Sequence, residues 1–299
     1  MSDPLDALRT PIVPIAPDAT FALALRHRLE REVALRSAAQ QEEQEEQQEE
    51  ATMRDAPLRN RVSRNGTRHG DVSYVTLALP DAYAGRRFYG HVLGWSFETG
   101  SLEGGANRPA EVIPEVGLWP GSAWQEGVGP GAILSWRVDD LATAVAQVRA
   151  TGGSATDPEQ LPYGLQSECT DGNGLAFWLH ELAPPGEAAA SNGEREGDVS
   201  YVVMRVADLD RARRLFGDVL GWSYSPGATG LHVEGPAPMT GMSEGPPGVT
   251  LCYRVDDISL AVDRVRAAGG RSAEIEARPY GLESLCEDDQ GVEFYLHQF

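Results

Sequence analysis

The chain has 299 residues, with 25 arginines and no lysine against 45 Asp plus Glu, for a formal charge of −20. The missing lysine removes the Schiff-base, phosphate-loop and general-base chemistry that depends on that residue. The acidity argues against a nucleic-acid or anionic-membrane partner, since both need a basic footprint.

The first 69 residues stand apart from the rest. Met1 to Pro17 is proline-rich and irregular by composition. Asp18 is placed to cap a helix that carries Phe21, Leu25, Leu29 and Val33 on one face. Gln40 to Glu50 holds only Gln and Glu and cannot supply a core. A leader that is largely irregular or helical is therefore expected over 1–69, with a short amphipathic helix and a Gln/Glu-rich linker. Its apolar face offers a docking site for a protein partner. The leader carries 12 acids and 10 arginines, so the negative charge belongs to residues 70–299, with 33 acids and 15 arginines.

From residue 70 onward the pattern changes to alternating strands and capped helices. Val72 to Leu79 alternates as a strand, Asp81 caps a helix reaching about Leu93, Gly94 ends it, and Trp95 to Thr99 begins another strand. Ala132 to Val138 is again a strand, Asp139 or Asp140 a cap, and Leu141 to Ala150 a helix stopped at Gly152-Gly153. The whole arrangement then recurs. Gly70-Asp71-Val72-Ser73-Tyr74-Val75 returns as Gly197-Asp198-Val199-Ser200-Tyr201-Val202, and Val92-Leu93-Gly94-Trp95 as Val219-Leu220-Gly221-Trp222, at an offset of 127. Arg137-Val138-Asp139-Asp140 and Pro162-Tyr163-Gly164-Leu165 return at an offset of 117 as Arg254-Val255-Asp256-Asp257 and Pro279-Tyr280-Gly281-Leu282. Two homologous domains over 70–183 and 197–299 are expected, joined by a Pro-, Ala- and Gly-rich linker over 184–196. Each contains a strand–helix–strands pattern twice, giving four βαβββ modules.

Ala207-Asp208-Leu209-Asp210-Arg211-Ala212, Leu215-Phe216 and Val219-Leu220-Gly221-Trp222 carry a family likeness, as do the Val-Asp-Asp helix starts and Asp171-Gly172-Asn173-Gly174 before a last strand. The chain resembles the vicinal-oxygen-chelate family of glyoxalase I, bleomycin-resistance proteins and extradiol dioxygenases, over about residues 70–299. The resemblance implies an α+β protein of two tandem domains, each formed by two modules curled into a mixed sheet with a concave cup.

Family members that bind a metal take His, Gln or Glu from the first and last strands of each module. Here Tyr74, Tyr201, Ile133 and Thr250 fall at the first-strand positions, and Trp178 and Tyr295 where an acidic ligand is expected. Val116-Gly117-Leu118 and Thr240-Gly241-Met242, on the other closing strands, offer no acid. A catalytic divalent site needs imidazole or carboxylate ligands and an open position, so a pair of domains without a metal cofactor is implied. A divalent metal would have to draw on His180 and His297, which are repeat-equivalent, or on His232 and Glu234, which share a strand face, with Glu115 as a further carboxylate.

Strand alternation points Tyr74, Thr76 and Ala78, then Ile133, Ser135 and Arg137, into the first cup. The second receives Tyr201, Val203 and Arg205, then Thr250, Cys252 and Arg254. Arginine recurs four residues after the lost ligand position in three of four modules, and such a group can hold a carboxylate in a bidentate fork. With Tyr74, Tyr201, Tyr295 and Trp178 as flat apolar surfaces, the expected function is metal-free binding of an aromatic or amphipathic anionic small molecule. The second cup is favoured because it carries Arg205 and Arg254 together. No Gly-x-Ser-x-Gly elbow is present, and Cys169 and Cys286 occupy equivalent packing positions, so no catalytic residue is assigned. A lyase, isomerase or dioxygenase with an unconventional metal set is one alternative, and an interaction protein with degenerate cups another. The three cysteines are too few for a disulfide framework. No bilayer-length apolar run or signal segment is visible, so a cytoplasmic location is expected.

Overall fold

The computed structural model describes residues 68–99, 107–109, 112–120, 130–182, 193, 195–227 and 229–299. The expected amphipathic helix with Phe21, Leu25, Leu29 and Val33 lies outside the described residues, as does nearly all of the leader and most of the linker. Among the described residues no helix is long and apolar enough to cross a membrane.

The first half runs β1 (Val72–Leu79), α1 (Ala82–Leu93), β2 (Phe97–Thr99), β3 (Asn107–Pro109), β4 (Val116–Pro120), β5 (Gly131–Arg137), α2 (Leu141–Ala150), β6 (Ser154–Ala155), β7 (Glu159–Leu161), β8 (Gly164–Thr170) and β9 (Ala176–Leu182). The second half repeats it as β10 (Val199–Val206), α3 (Leu209–Leu220), β11 (Ser223–Pro226), β12 (Leu231–Glu234), β13 (Thr240–Glu244), β14 (Gly248–Arg254), α4 (Ile258–Ala267), β15 (Arg271–Ser272), β16 (Glu276–Arg278), β17 (Gly281–Glu287) and β18 (Glu293–Gln298). Four βαβββ modules result, two of them with a short extra strand.

Each helix is started by an aspartate carboxylate that accepts free amide protons of the first turn. Asp81 Oδ1 accepts from Tyr83 and Ala84 N–H at 2.8 and 2.9 Å. Asp140, not Asp139, caps α2, accepting from Thr143 N–H at 2.9 Å. Asp208 and Asp257 do the same for α3 and α4. Gly94 and Gly221 close α1 and α3 in the left-handed conformation. The strand expected from Trp95 begins only at Phe97, because the Trp95 indole turns inward and donates to Gly197 O at 3.1 Å.

In each half the strands form one mixed sheet, β2-β3-β4-β1-β5-β9-β8-β6 and β11-β12-β13-β10-β14-β18-β17-β15. The central pair is antiparallel and each central strand is flanked by a parallel neighbour. This order is symmetric about the β1/β5 and β10/β14 seams, as two related modules joined edge to edge require.

The apolar faces of both halves share one core. Val75, Leu77 and Leu79 belong to it together with Val202, Met204 and Val206. Helix α1 packs beside α4, and α2 beside α3. Tyr89 of α1 meets Tyr253 and Phe294, while Trp136 of β5 meets Phe216 and Trp222. The recurring Gly-Asp-Val motif ties the halves reciprocally. Asp71 Oδ1 accepts from Ala237 N–H at 3.0 Å and Asp198 Oδ1 from Ile113 N–H at 3.1 Å. The Trp222 indole donates to Gly70 O at 3.0 Å, mirroring Trp95 and Gly197.

Candidate functional site

Register across the central strands lays the inward-facing side chains out in rows. In the first half Tyr74 pairs with Ser135, which pairs with Trp178, and Thr76 pairs with Ile133. In the second half Tyr201 pairs with Cys252, which pairs with Tyr295, and Val203 pairs with both Thr250 and Gly241. These residues alternate with core residues along their strands, so they lie on the opposite, concave face. A Cβ at Gly241 would stand 2.3 Å from the Tyr201 hydroxyl, so glycine is what lets that ring lie over β13. Tyr74, Tyr201 and Tyr295 are half-buried, whereas Trp178, Ile133, Thr250 and Cys252 are buried.

The donor set in these rows does not fit the divalent ion that metal-binding members of the family hold. Ile133 has no lone pair, Trp178 offers only an indole N–H, and the remaining groups are neutral phenols, aliphatic hydroxyls and one thiol. Burial pushes the Cys252 thiol well above its ordinary value, away from the ligating thiolate. Among the described residues no three His, Cys, Asp or Glu side chains are grouped to hold a metal.

The fallback ligands are engaged elsewhere. His180 is buried, its Nε2 donating to Gln166 Oε1 at 2.8 Å and its Nδ1 lying 3.1 Å from Ser73 Oγ. Tyr163 O–H donates to the same Gln166 oxygen at 2.8 Å. Desolvation pulls His180 down to about 3, so it is neutral at physiological pH. His297 repeats the arrangement with Ser200 at 3.3 Å, but Glu283 replaces Gln166 and stands 3.7 Å from His297 Nε2. Burial raises the Glu283 carboxyl, yet hydrogen bonds from Tyr280 and Arg278, each 2.6 Å long, outweigh it and hold the group below the usual carboxylate range. Burial lowers His297, with Glu283 opposing. His232 pairs with Gly241 at the edge of the second concave face, while Glu234 is exposed and accepts from Ser225 Oγ at 2.7 Å.

The three arginines divide. Arg137 stands in register with His180, and Arg254 with His297. Arg205 pairs with Gly248, six residues before Arg254 on β14, or about 20 Å of extended strand. The second cup therefore does not bring Arg205 and Arg254 together on one small anion. Each has its own loose carboxylate: Asp139 at 3.9 Å from Arg137, Glu293 at 3.8 Å from Arg205, and Asp256 at 3.7 Å from Arg254. Arg254 also lies over the Phe299 ring at 5.9 Å. Glu293, the carboxylate nearest Arg205, precedes Tyr295 by two residues on β18, so Arg205 stands along the strands from the tyrosine row.

Cys169 and Cys286 pack in the core, their thiols raised by burial to about 12 and about 11. Asp171 and its counterpart Asp288 fold their loops by accepting two following amides, so the Asp-Gly-Asn-Gly stretch is a turn. The Ser–His–Gln/Glu–Tyr networks escaped the sequence reading. The recurring Pro-Tyr-Gly-Leu motif marked their tyrosines, but only folding places β8 beside β9 and β17 beside β18.

No protein-family model matches the chain. It is 26% identical over 255 residues to proteins named "Putative glyoxylase CFP32" in Mycobacterium bovis and Mycobacterium tuberculosis, covering 77% of this chain and 95% of theirs. Among solved structures, a catechol 2,3-dioxygenase matches with a TM-score of 0.56 at 15% identity, covering 78% of this chain and 88% of that one. The 2,2',3-trihydroxybiphenyl 1,2-dioxygenase of Sphingomonas wittichii matches with a TM-score of 0.54 at 17% identity, covering 78% and 91%. The sheet order and the four modules give the chain the fold of these dioxygenases, in keeping with its resemblance to the vicinal-oxygen-chelate superfamily of glyoxalases, bleomycin-resistance proteins and extradiol dioxygenases.

Proposed function

We propose that this chain is a small-molecule-binding protein of the glyoxalase/bleomycin-resistance type, holding an aromatic or amphipathic anionic ligand in one or both cups without a resident metal. The observation that carries this reading is the Tyr201–Cys252–Tyr295 row, which puts aromatic surface where the metal-binding relatives need a carboxylate. Arg205, 40% exposed beside that row and only loosely paired with Glu293, supplies the cation for a ligand carboxylate. The alternatives, a metal-dependent lyase, isomerase or dioxygenase and an interaction protein with degenerate cups, gain no comparable feature among the described residues. We assign residues 70–183 and 197–299 as the two domains, 1–69 as a leader and 184–196 as a linker, in a cytoplasmic protein.

Elemental analysis of untagged protein purified without chelator tests the metal assignment, and a stoichiometric transition metal overturns it. Calorimetric titration with 1-naphthoate tests the ligand class. Arg205→Met is expected to weaken it about tenfold, or about 1.4 kcal/mol, while Arg254→Met leaves it nearly unchanged. Unaltered affinity in the Arg205 variant defeats the anion reading.

A further inference from the structure

Arg205 and Glu293 stand 3.8 Å apart at one end of the second concave face, their side chains 40% and 48% exposed. Their strands are not neighbours, because β14 lies between β10 and β18. The arginine therefore reaches across β14 beside Gly248, where a Cβ would stand 4.0 Å from Arg205 Nη2. Arg205 lies between the core residues Met204 and Val206, and Glu293 next to the core residue Phe294, so both share the face of Tyr201 and Tyr295.

At that separation the two groups are too far apart to hydrogen-bond, and neither makes another hydrogen bond among the described residues. Other charges of the same face are satisfied at closer range. Arg278 donates to Glu283 at 2.6 Å. Glu287, opposite Glu293 on β17, is hydrogen-bonded by Arg271, which leaves Glu293 as the open carboxylate at this end.

The pair is kept or lost as a unit. The repeat offsets place Ala78 at the first-half position of Arg205 and Ala176 at that of Glu293. An exposed ion pair stabilises a fold by only about 0–1 kcal/mol, a small return for a cation and an anion that occur together. Two unlike charges held close but unbonded complement a molecule that carries both signs. A carboxylate fits the guanidinium fork, and an ammonium donates to the glutamate. Tyr295 lies two residues along β18 from Glu293, about 7 Å of strand, which a methylene group and an aromatic ring span from a charged carbon.

We infer that Arg205 and Glu293 form a zwitterion receptor, and that the second cup takes an aromatic α-amino acid. Its carboxylate sits on Arg205, its ammonium on Glu293 and its ring against Tyr295. This rests on the reading of the cup as a site for an aromatic carboxylate given above, and narrows it. The first cup, with Ala78 and Ala176, offers no such receptor, so one molecule is bound per chain.

Calorimetric titration of the full chain with phenylalanine, 3-phenylpropionate and phenethylamine, which share one frame and differ only in the charged groups, tests the inference. Phenylalanine is expected to bind once per chain, about tenfold or more tighter than either of the others. Glu293→Gln should weaken phenylalanine about tenfold and leave 3-phenylpropionate unchanged or tighter, because Arg205 loses its competing carboxylate. Arg205→Met should weaken both acids. Each variant should melt within about 2 °C of the wild type, as expected for an exposed pair. A Glu293→Gln protein that melts well below this range marks the pair as a structural tie and overturns the inference. So does phenylalanine affinity unaffected by Glu293→Gln, or phenethylamine binding as tight as that of phenylalanine. Arg205-dependent binding of 3-phenylpropionate with no gain for phenylalanine overturns this inference alone and leaves the anionic reading standing. Silence from these three probes and from 1-naphthoate overturns both.

Discussion

His180 shows how much a single buried side chain sets the response to acid. Its ring is desolvated and held between Ser73 and Gln166, so the folded chain refuses a proton down to about pH 3. An unfolded histidine accepts one below about 6.5. The stability tied to neutral His180 is therefore complete above 6.5 and drains away as the pH falls toward 3, at up to about 1.4 kcal/mol per pH unit. The depressed His297 and the depressed carboxyl of Glu283 act in the same direction. Urea unfolding at pH 6.5 and 4.5 should show a His180→Gln variant losing about 2 kcal/mol less between the two pH values than the wild type. Equal losses in both proteins contradict the assignment.

At the scale of the element, four helices begin on four aspartates, each the last residue before the apolar periodicity sets in. The caps are local, so they were legible: a carboxylate beside free amides of a first turn needs nothing from the rest of the chain. The choice between Asp139 and Asp140 was less so. Asp139 accompanies Arg137 and His69, while Asp140 reaches Thr143 through both its amide and its hydroxyl. Asp140→Ala and Asp257→Ala should each cost about 1 kcal/mol in thermal or urea unfolding, and Asp139→Ala much less. Strand faces were equally legible, since alternation at period two needs only neighbours. Val75, Leu77 and Leu79 entered the core, and Tyr74, Thr76 and Ala78 the other face, as the pattern required.

Across the whole molecule the repeated motifs acquire a role that neither copy reveals alone. Gly70 and Gly197 have φ of +86° and +84°, and a Cβ would stand 2.6 Å from Leu220 O at one and 2.7 Å from the Trp95 indole nitrogen at the other. Each glycine thus seats the tryptophan of the opposite half. Gly70→Ala should destabilise the protein by about 2–4 kcal/mol through backbone strain plus overpacking. Because the halves share one core, unfolding followed by fluorescence and by circular dichroism should remain a single transition in the wild type. Two resolved transitions would show that the halves fold independently.

The sequence by itself determined the duplicated modules, the helix starts and stops, and the side of each strand that faces inward. All of these are set by periodicity and local hydrogen bonding within a few residues. Tertiary structure alone decided what meets across distance. It set Arg205 and Arg254 apart along β14, surrounded His180 and His297 with unlike partners, and left the Thr76 and Ser135 hydroxyls buried on one face. Strand register and desolvation depend on residues a hundred positions away, and a linear pattern does not encode how far a folded chain carries its side chains from water.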